Sequence, residues 1–148
     1  MLAFELANRS YFAGFISDRG EEYFEHFADR QAELLAEQET GACAYYVLVA
    51  DDGSVIGRFN LRDIENGSAV LGYRVDQQVA RRGVATRTVD QLCRDAVTTF
   101  GLRVIRAATS DANLASQRVL VKAGFVPVGP ADPAELGGKP GSWYERRG

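Results

Sequence analysis

The chain has 148 residues, enough for one domain with a substantial core and too few for two. Hydrophobic residues make up 46% and charged residues 25%, which excludes disorder, a coiled coil and a disulfide scaffold. With 20 acids against 17 bases the formal charge is -3, so there is no electrostatic footprint for nucleic acid or an anionic membrane, and a cationic partner is mildly favoured.

In chain order, residues 3–12 (AFELANRSYF) predict a short helix. From Asp18 to Gly41, the residues Tyr23, Phe24, Phe27, Gln31, Leu34 and Leu35 recur at three- and four-residue intervals, and Asp18 with Glu21 imitates a capping box. An amphipathic helix stopped by Gly41 is expected there, and it carries His26, the only histidine. The texture then changes to AYYVLVA (44–50), VIGRFNLRDI (55–64) and AVLGYRV (69–75), separated by DDGS and ENGS. Asp-Gly and Asn-Gly between β-branched and aromatic runs are hairpin signals, so three antiparallel strands in a meander are expected.

A helix follows from about Thr86 to Phe100, closed by Gly101. VIRAAT (104–109) reads as a buried strand, and SDANLASQRVLVKAG as a helix capped by Asp111 or Ser110 and ended by Gly124. FVPVG (125–129) is another strand, a loop rich in Pro and Gly runs over 130–141, and SWYER (142–146) closes the chain as a short strand in which Trp143 packs under the loop. A meander followed by alternating strands and helices predicts a single domain over residues 1–148, α+β or α/β in class. Its mixed sheet carries helices on both faces and a right-handed crossover over residues 75–104.

Cys43 and Cys93 lack a second Cys or His at ligand spacing, so neither a redox pair nor a zinc site is read, and no metal is expected. Cys93 falls on the apolar stripe Val89, Leu92, Cys93, Ala96, Val97, Phe100 and reads as a small core residue. No stretch is long and apolar enough for a bilayer span, and Met1 does not open a signal-peptide pattern. A cytoplasmic protein with reduced thiols and no membrane partner is expected.

The stretch VARRGVATR (79–87) stands where the third strand gives way to a helix. The first amides of a helix lack internal partners and point out from an end with partial positive charge, so a phosphate can accept from several of them if no Cβ blocks it. Gly83 supplies that approach, Ala85 and Thr86 keep the turn open, and Arg81 and Arg82 add charge. The spacing is neither GxGxxG nor GxxxxGK[ST]. A plain tight turn with solvated arginines explains the same residues equally well.

The segment SDANLASQRVLVKAGF (110–125) adds weight to the phosphate reading, because its "N, two residues, S … K-A-G-F" pattern resembles the signature of the GNAT superfamily of acetyl-CoA-dependent N-acetyltransferases. LGYRV with RRGVAT resembles that superfamily's cofactor strand and pyrophosphate loop. More narrowly, the chain is similar to the Rim-type branch, whose members acetylate N-termini of ribosomal proteins, and the resemblance covers residues 44–129.

The resemblance implies that acetyl-CoA lies in a V-shaped gap between two splayed parallel strands, here LGYRV and VIRAAT. Backbone groups of Tyr73, Arg74 and Val75 would pair with the pantetheine arm, Val75 standing where the acetyl carbonyl finds an amide. The pyrophosphate would take the amides of Arg81, Arg82, Gly83, Val84, Ala85 and Thr86. Asn113 and Ser116 match positions beside the cofactor arm and thioester sulfur, and Arg118 or Lys122 reaches the adenosine phosphates. There are two departures. Ala80 stands where the family often has Gln or Arg, with Arg81 as substitute, and the first helix opens almost at Met1, which implies a shortened start or a missing first strand.

An amine attacks a thioester only when neutral, whereas a lysine-type amine has a pKa near ~10.4 and an α-amine near ~8, so a base or water chain must take a proton and an acid must serve the leaving thiolate. The tyrosine many members place four residues before the Gly-Phe pair is here Leu120. The Rim-type branch offers Ser116 as acid instead, with Asn113 beside it. Glu145 leads the candidates for the base, followed by Asn60 (able only to hold a water), Tyr73 and Asp63. No Ser-His-Asp or Cys-His set supports an acyl-enzyme, so direct transfer in a ternary complex is expected.

The acceptor is a protein N-terminal amine or a small-molecule amine, with Tyr11, Phe12, Phe15 and Tyr23 as possible lining or as core. The protein is expected to be a monomer or homodimer. An acyl-CoA-binding module that has lost turnover is the rival reading, and a nucleotide- or phosphate-binding domain unrelated to acyl transfer is a third.

Overall fold

The structure, a computed structural model, describes residues 4, 5, 32, 36, 38, 39, 41–76, 83–136 and 138–147. Most of the two helices expected over 3–12 and 18–41, His26 with them, lies outside the described residues. Within those spans Phe4, Glu5, Ala32, Ala36, Gln38 and Glu39 are helical. Gly41, at φ 81°, donates its N–H to the Gln38 carbonyl at 3.0 Å, the helix-ending geometry expected of it.

Three strands follow as a meander, β1 (Ala44–Val49), β2 (Val55–Glu65) and β3 (Ser68–Val75). Between β2 and β3, Asn66 at φ 50° and Gly67 at φ 77° give the two positive-φ residues that a tight two-residue hairpin needs. Helix α1 (Val84–Phe100) leads to β4 (Val104–Ser110), and α2 (Leu114–Lys122) to β5 (Val126–Ala131). A 3-10 turn (Pro133–Leu136) precedes β6 (Gly141–Arg147).

The six strands form one sheet in the order β1-β2-β3-β4-β6-β5. Only β3 and β4 are parallel, the α1 crossover joining them, and every other pair is antiparallel. The last strand is inserted between β4 and β5. That leaves β5, with Pro127 and Pro130, at the edge, where a residue without an N–H is tolerated.

Side chains alternate across a strand, so the register sorts them into two faces. Phe59, Leu61, Leu71, Ile105, Ala107 and Tyr144 share one face with Val89, Leu92, Cys93 and Ala96 of α1 and Leu120 of α2, and these form the core. Burying a Leu, Ile, Val or Phe fully contributes roughly 1.5–3 kcal/mol each, so this face carries most of the folding energy. The α1 stripe is the expected one, with Val97 and Phe100 only partly covered. The opposite face carries Arg58, Arg74, Arg106 and Trp143. There Glu5 is buried against the sheet, its carboxylate 2.7 Å from Arg58 and 3.1 Å from Arg74, a pair directly opposed in the β2–β3 register. Helical residues thus stand on both faces.

Candidate active site

The β3–β4 ladder is short. Ser68, Ala69 and Val70 pair with Val104, Ile105 and Arg106, and no pair follows, although β3 runs on to Val75 and β4 to Ser110. Beyond Val70 the two strands part, and Leu71–Val75 keeps a strand partner only on the β2 side. Backbone N–H and C=O groups that face such a gap seek a partner of their own kind. An extended amide-bearing chain fits there, and the residues expected to meet it, Tyr73, Arg74 and Val75, lie in the parted half.

Helix α1 opens beside the end of β3. Gly83 is its N-cap at φ 74°, no side chain caps the helix, and its first turn holds no acidic residue. Four amides and the positive end of the helix dipole are therefore turned toward whatever lies outside. Gly83, Val84, Ala85 and Thr86 are where the sequence places them, while Arg81 and Arg82 lie outside the described residues. Arg87, which the sequence reading passed over, stands here too: its Nη1 would be 3.1 Å from a Cβ on Gly83. A cation at a helix N-terminus opposes the dipole unless an anion joins them, so the arrangement suits a phosphate.

On the other side of the gap α2 begins. Its N-cap is Asn113, not Asp111 or Ser110, with Asn113 Oδ1 accepting from the Ser116 N–H at 3.1 Å. Both expected residues precede the helix in a turn knit by Asn113 N–H donating to the Ser110 carbonyl at 3.0 Å and Gln117 Nε2 donating to the carbonyls of Ser110 and Asp111. Ser116 then directs its hydroxyl across the gap to Tyr73, with 3.0 Å between Oγ and Oη. Burial pushes the Tyr73 phenol up to about 12, the Ser116 hydrogen bond opposing it, so the phenol is neutral at physiological pH. Tyr73 as a whole is half-buried; its hydroxyl is the enclosed end.

Glu145 stands elsewhere. It pairs in register with Arg106, at the closed end of the gap and on the face opposite Ser116. Oε1 is 3.3 Å from Arg106 Nε and Oε2 3.6 Å from Arg147 Nη2. That Nε is buried and makes no properly directed hydrogen bond, so the Arg106 contact is ionic attraction without N–H alignment. The Arg106 guanidinium lies 4.5 Å from the Trp143 ring centroid. Both carboxylate oxygens are thus engaged, which makes Glu145 an anchor of β4 and β6.

Arg118 and Lys122 are exposed on α2, while Leu120 is buried in the core. Asn60 faces Gly72 across the β2–β3 pair, where a Cβ would come 3.2 Å from its Oδ1, and Asp63 is exposed in the β2 bulge at φ 52°. Glu5 with Arg58 and Arg74, like Arg87, escaped the sequence reading. Nothing near Arg58 or Arg74 in the sequence marks them, and only an N-terminal carboxylate brought close in space does so. Among the described residues no group of His, Cys, Asp and Glu could hold a metal ion, and no helix is long and apolar enough to cross a membrane.

Residues 4–126 match the profile of the Acetyltransferase (GNAT) domain family. A probable N-acetyltransferase, YjcK, of Bacillus subtilis (strain 168) is 29% identical over 133 residues, 84% of this chain and 72% of that one. The crystal structure of ribosomal-protein-S5-alanine acetyltransferase from Vibrio fischeri superposes with a TM-score of 0.90 at 22% identity, covering 99% of this chain and 85% of that one. Mycobacterium smegmatis RimJ in complex with CoA-disulfide superposes at 0.87 and 21% identity, covering 99% and 75%.

Proposed function

The chain belongs to the GNAT acetyltransferase domain family and is an acyltransferase using acetyl-CoA, and we propose that it moves the acetyl group to a primary amine by direct attack in a ternary complex. The observation that carries the reading is the parting of β3 and β4 after Val70 and Arg106, flanked by the uncapped N-terminus of α1 on one side and Ser116 on the other.

The pantetheine arm runs along Tyr73, Arg74 and Val75 and takes the β4-facing backbone of Tyr73 and Val75, that of Arg74 being turned to β2, and the pyrophosphate takes the amides of Arg81, Arg82, Gly83, Val84, Ala85 and Thr86, with Arg87 adding charge. Arg118 and Lys122, exposed on α2, would pair with the adenosine phosphates. The neutral amine nitrogen attacks the thioester carbonyl, a C–N bond forms, the C–S bond breaks and its electron pair goes to sulfur. The nitrogen loses one proton to water as the sulfur gains one. The Ser116 hydroxyl passes its proton to sulfur and recovers one from that water. Asn113 holds Ser116 through its N–H and makes no chemical step itself. With both its oxygens in ion pairs, Glu145 is not the base of this scheme, and water removes the amine proton.

A peptide N-terminus is the preferred acceptor, because the fold neighbour at the higher of the two TM-scores quoted above is named for acetylating an alanine of a ribosomal protein. The chain is proposed to act as one domain, as monomer or homodimer, in the cytoplasm. A module that binds acyl-CoA without turnover is the second reading, favoured by Leu120 lying in the core where many members have a tyrosine.

The test is the thermal unfolding midpoint with and without acetyl-CoA, followed by CoA release on adding a peptide with a free N-terminal alanine. At a hundredfold excess over Kd the midpoint should rise by about 5 to 10 °C, and the rise should vanish in Gly83→Val. No rise in the parent sinks the proposal. A rise without CoA release, with this peptide or with simple amines, leaves the binding module.

A further inference from the structure

Ser116 carries one hydroxyl proton, and it helps a leaving sulfur only if that proton points into the gap. In the first turn of a helix a serine hydroxyl readily donates instead to a carbonyl of the preceding turn. Its partner across the gap, Tyr73, is held firmly: its ring stacks on Phe59 with centroids 5.7 Å apart and 14° between planes. Ser116 is held as firmly, through its N–H to Asn113 Oδ1. Tyr73 lies three residues past the last β3–β4 pair, and α2 follows β4, so the 3.0 Å contact between the hydroxyls bridges the two lips of the gap.

We infer that Tyr73 is a positioning residue for acetyl transfer: its phenol donates to Ser116 Oγ, occupying the serine oxygen as acceptor and turning the serine proton toward the thioester sulfur in the gap. This rests on the acetyl-CoA reading above. The high pKa of the phenol, about 12, is in keeping with a group that remains a donor throughout catalysis. No proton leaves Tyr73; it sets a direction, and the proton that reaches sulfur is that of Ser116. The acid's role, which many members give to a tyrosine at the position of Leu120, thus falls to Ser116 on α2, aimed by a tyrosine on β3.

The test uses bound CoA, whose free thiol stands where the thioester sulfur would, and needs no acceptor. Thiolate absorbance is titrated for CoA bound to the parent, Tyr73→Phe, Ser116→Ala and the double variant, with CoA binding and each midpoint read by thermal unfolding. An aimed Ser116 donor stabilises thiolate, so the parent should hold the thiol pKa below that of CoA in solution. Tyr73→Phe should return it toward the solution value by roughly half a unit or more. Ser116→Ala should do the same, and Tyr73→Phe should add nothing in the Ser116→Ala background. A bound thiol at its solution pKa in the parent, or a Tyr73→Phe shift that persists without Ser116, overturns the inference while leaving the acetyl-CoA reading intact. A parent that binds no CoA sinks that reading and this inference with it.

Discussion

Arg146 on β6 reaches Asp90 on α1, with Nη1 and Oδ1 3.0 Å apart, and the same Nη1 donates to the Ala123 carbonyl at the end of α2, also at 3.0 Å. One guanidinium therefore ties the inserted last strand to both helices that flank the gap. Its side chain is 17% exposed, against 37% for Asp90, so the two ends of the contact are not equivalent.

Removing the arginine leaves the Ala123 carbonyl without this donor and opens space beneath the sheet, so Arg146→Ala is expected to cost about 1–3 kcal/mol. Asp90→Ala should cost clearly less, because its other partner Arg94 is an exposed neighbour one turn away. Urea denaturation of both variants checks the order; equal losses would contradict it. Arg94 and Arg146 outweigh the opposing effect of burial and lower the Asp90 pKa, so its contribution is present at neutral pH and fades as pH falls through that lowered value.

Tyr73 gives the opposite pH behaviour. Its pKa is raised from 10.0 to about 12, so the folded state prefers the protonated phenol. Stability from this group is complete below pH 10 and is lost as pH rises from there toward 12, by roughly 3 kcal/mol in all. Tyr73→Phe should flatten that part of the stability curve. Parallel alkaline curves for parent and variant would show that the phenol is not enclosed.

Arg87 should act with opposite signs on the empty and loaded protein. Without ligand its cation opposes the α1 dipole, so Arg87→Ala should leave stability unchanged or raise it by about 0.3–1 kcal/mol. Affinity for acetyl-CoA should fall several-fold and depend less on salt, since one screened attraction is gone. Calorimetric titration at two salt concentrations measures both; loss of stability with unchanged affinity would assign Arg87 to the fold instead.

Gly141 opens β6 at the far end of the gap. A Cβ there would collide with Leu136, with the Thr109 carbonyl oxygen and, at 2.9 Å, with Ser110 Cα. Two of these neighbours are backbone and cannot step aside, so Gly141→Ala is expected to destabilise by about 1–3 kcal/mol or more through overpacking. Gly138→Ala has open space around it but sits at φ 88°, so its smaller loss would come from backbone strain alone. Thermal midpoints of the pair separate the two causes.

Much of the site was legible because its signals are local. The Asn66-Gly67 turn, Gly83 at the start of α1, Gly101 at its end and the apolar stripe through Cys93 each follow from spacing and backbone preference. The cap of α2 was misplaced because Ser110, Asp111 and Asn113 are all capping types, and only the accepted hydrogen bond from Ser116 chooses among them. Arg87 left a weak signal, a base one turn into a helix where an acid is usual.

The sequence by itself determined the element types, the meander and the glycine turn that opens α1, since these depend on residues within a few positions of one another. Tertiary structure alone decided the rest. That β6 enters between β4 and β5, that Glu145 meets Arg106 and Arg147 instead of the gap, that Glu5 is buried between Arg58 and Arg74, and that Tyr73 meets Ser116 all depend on pairing between distant segments. The physical reason is that strand order and facing partners are fixed by burial over the whole sheet, and a local pattern carries no record of which distant strand will supply the neighbour.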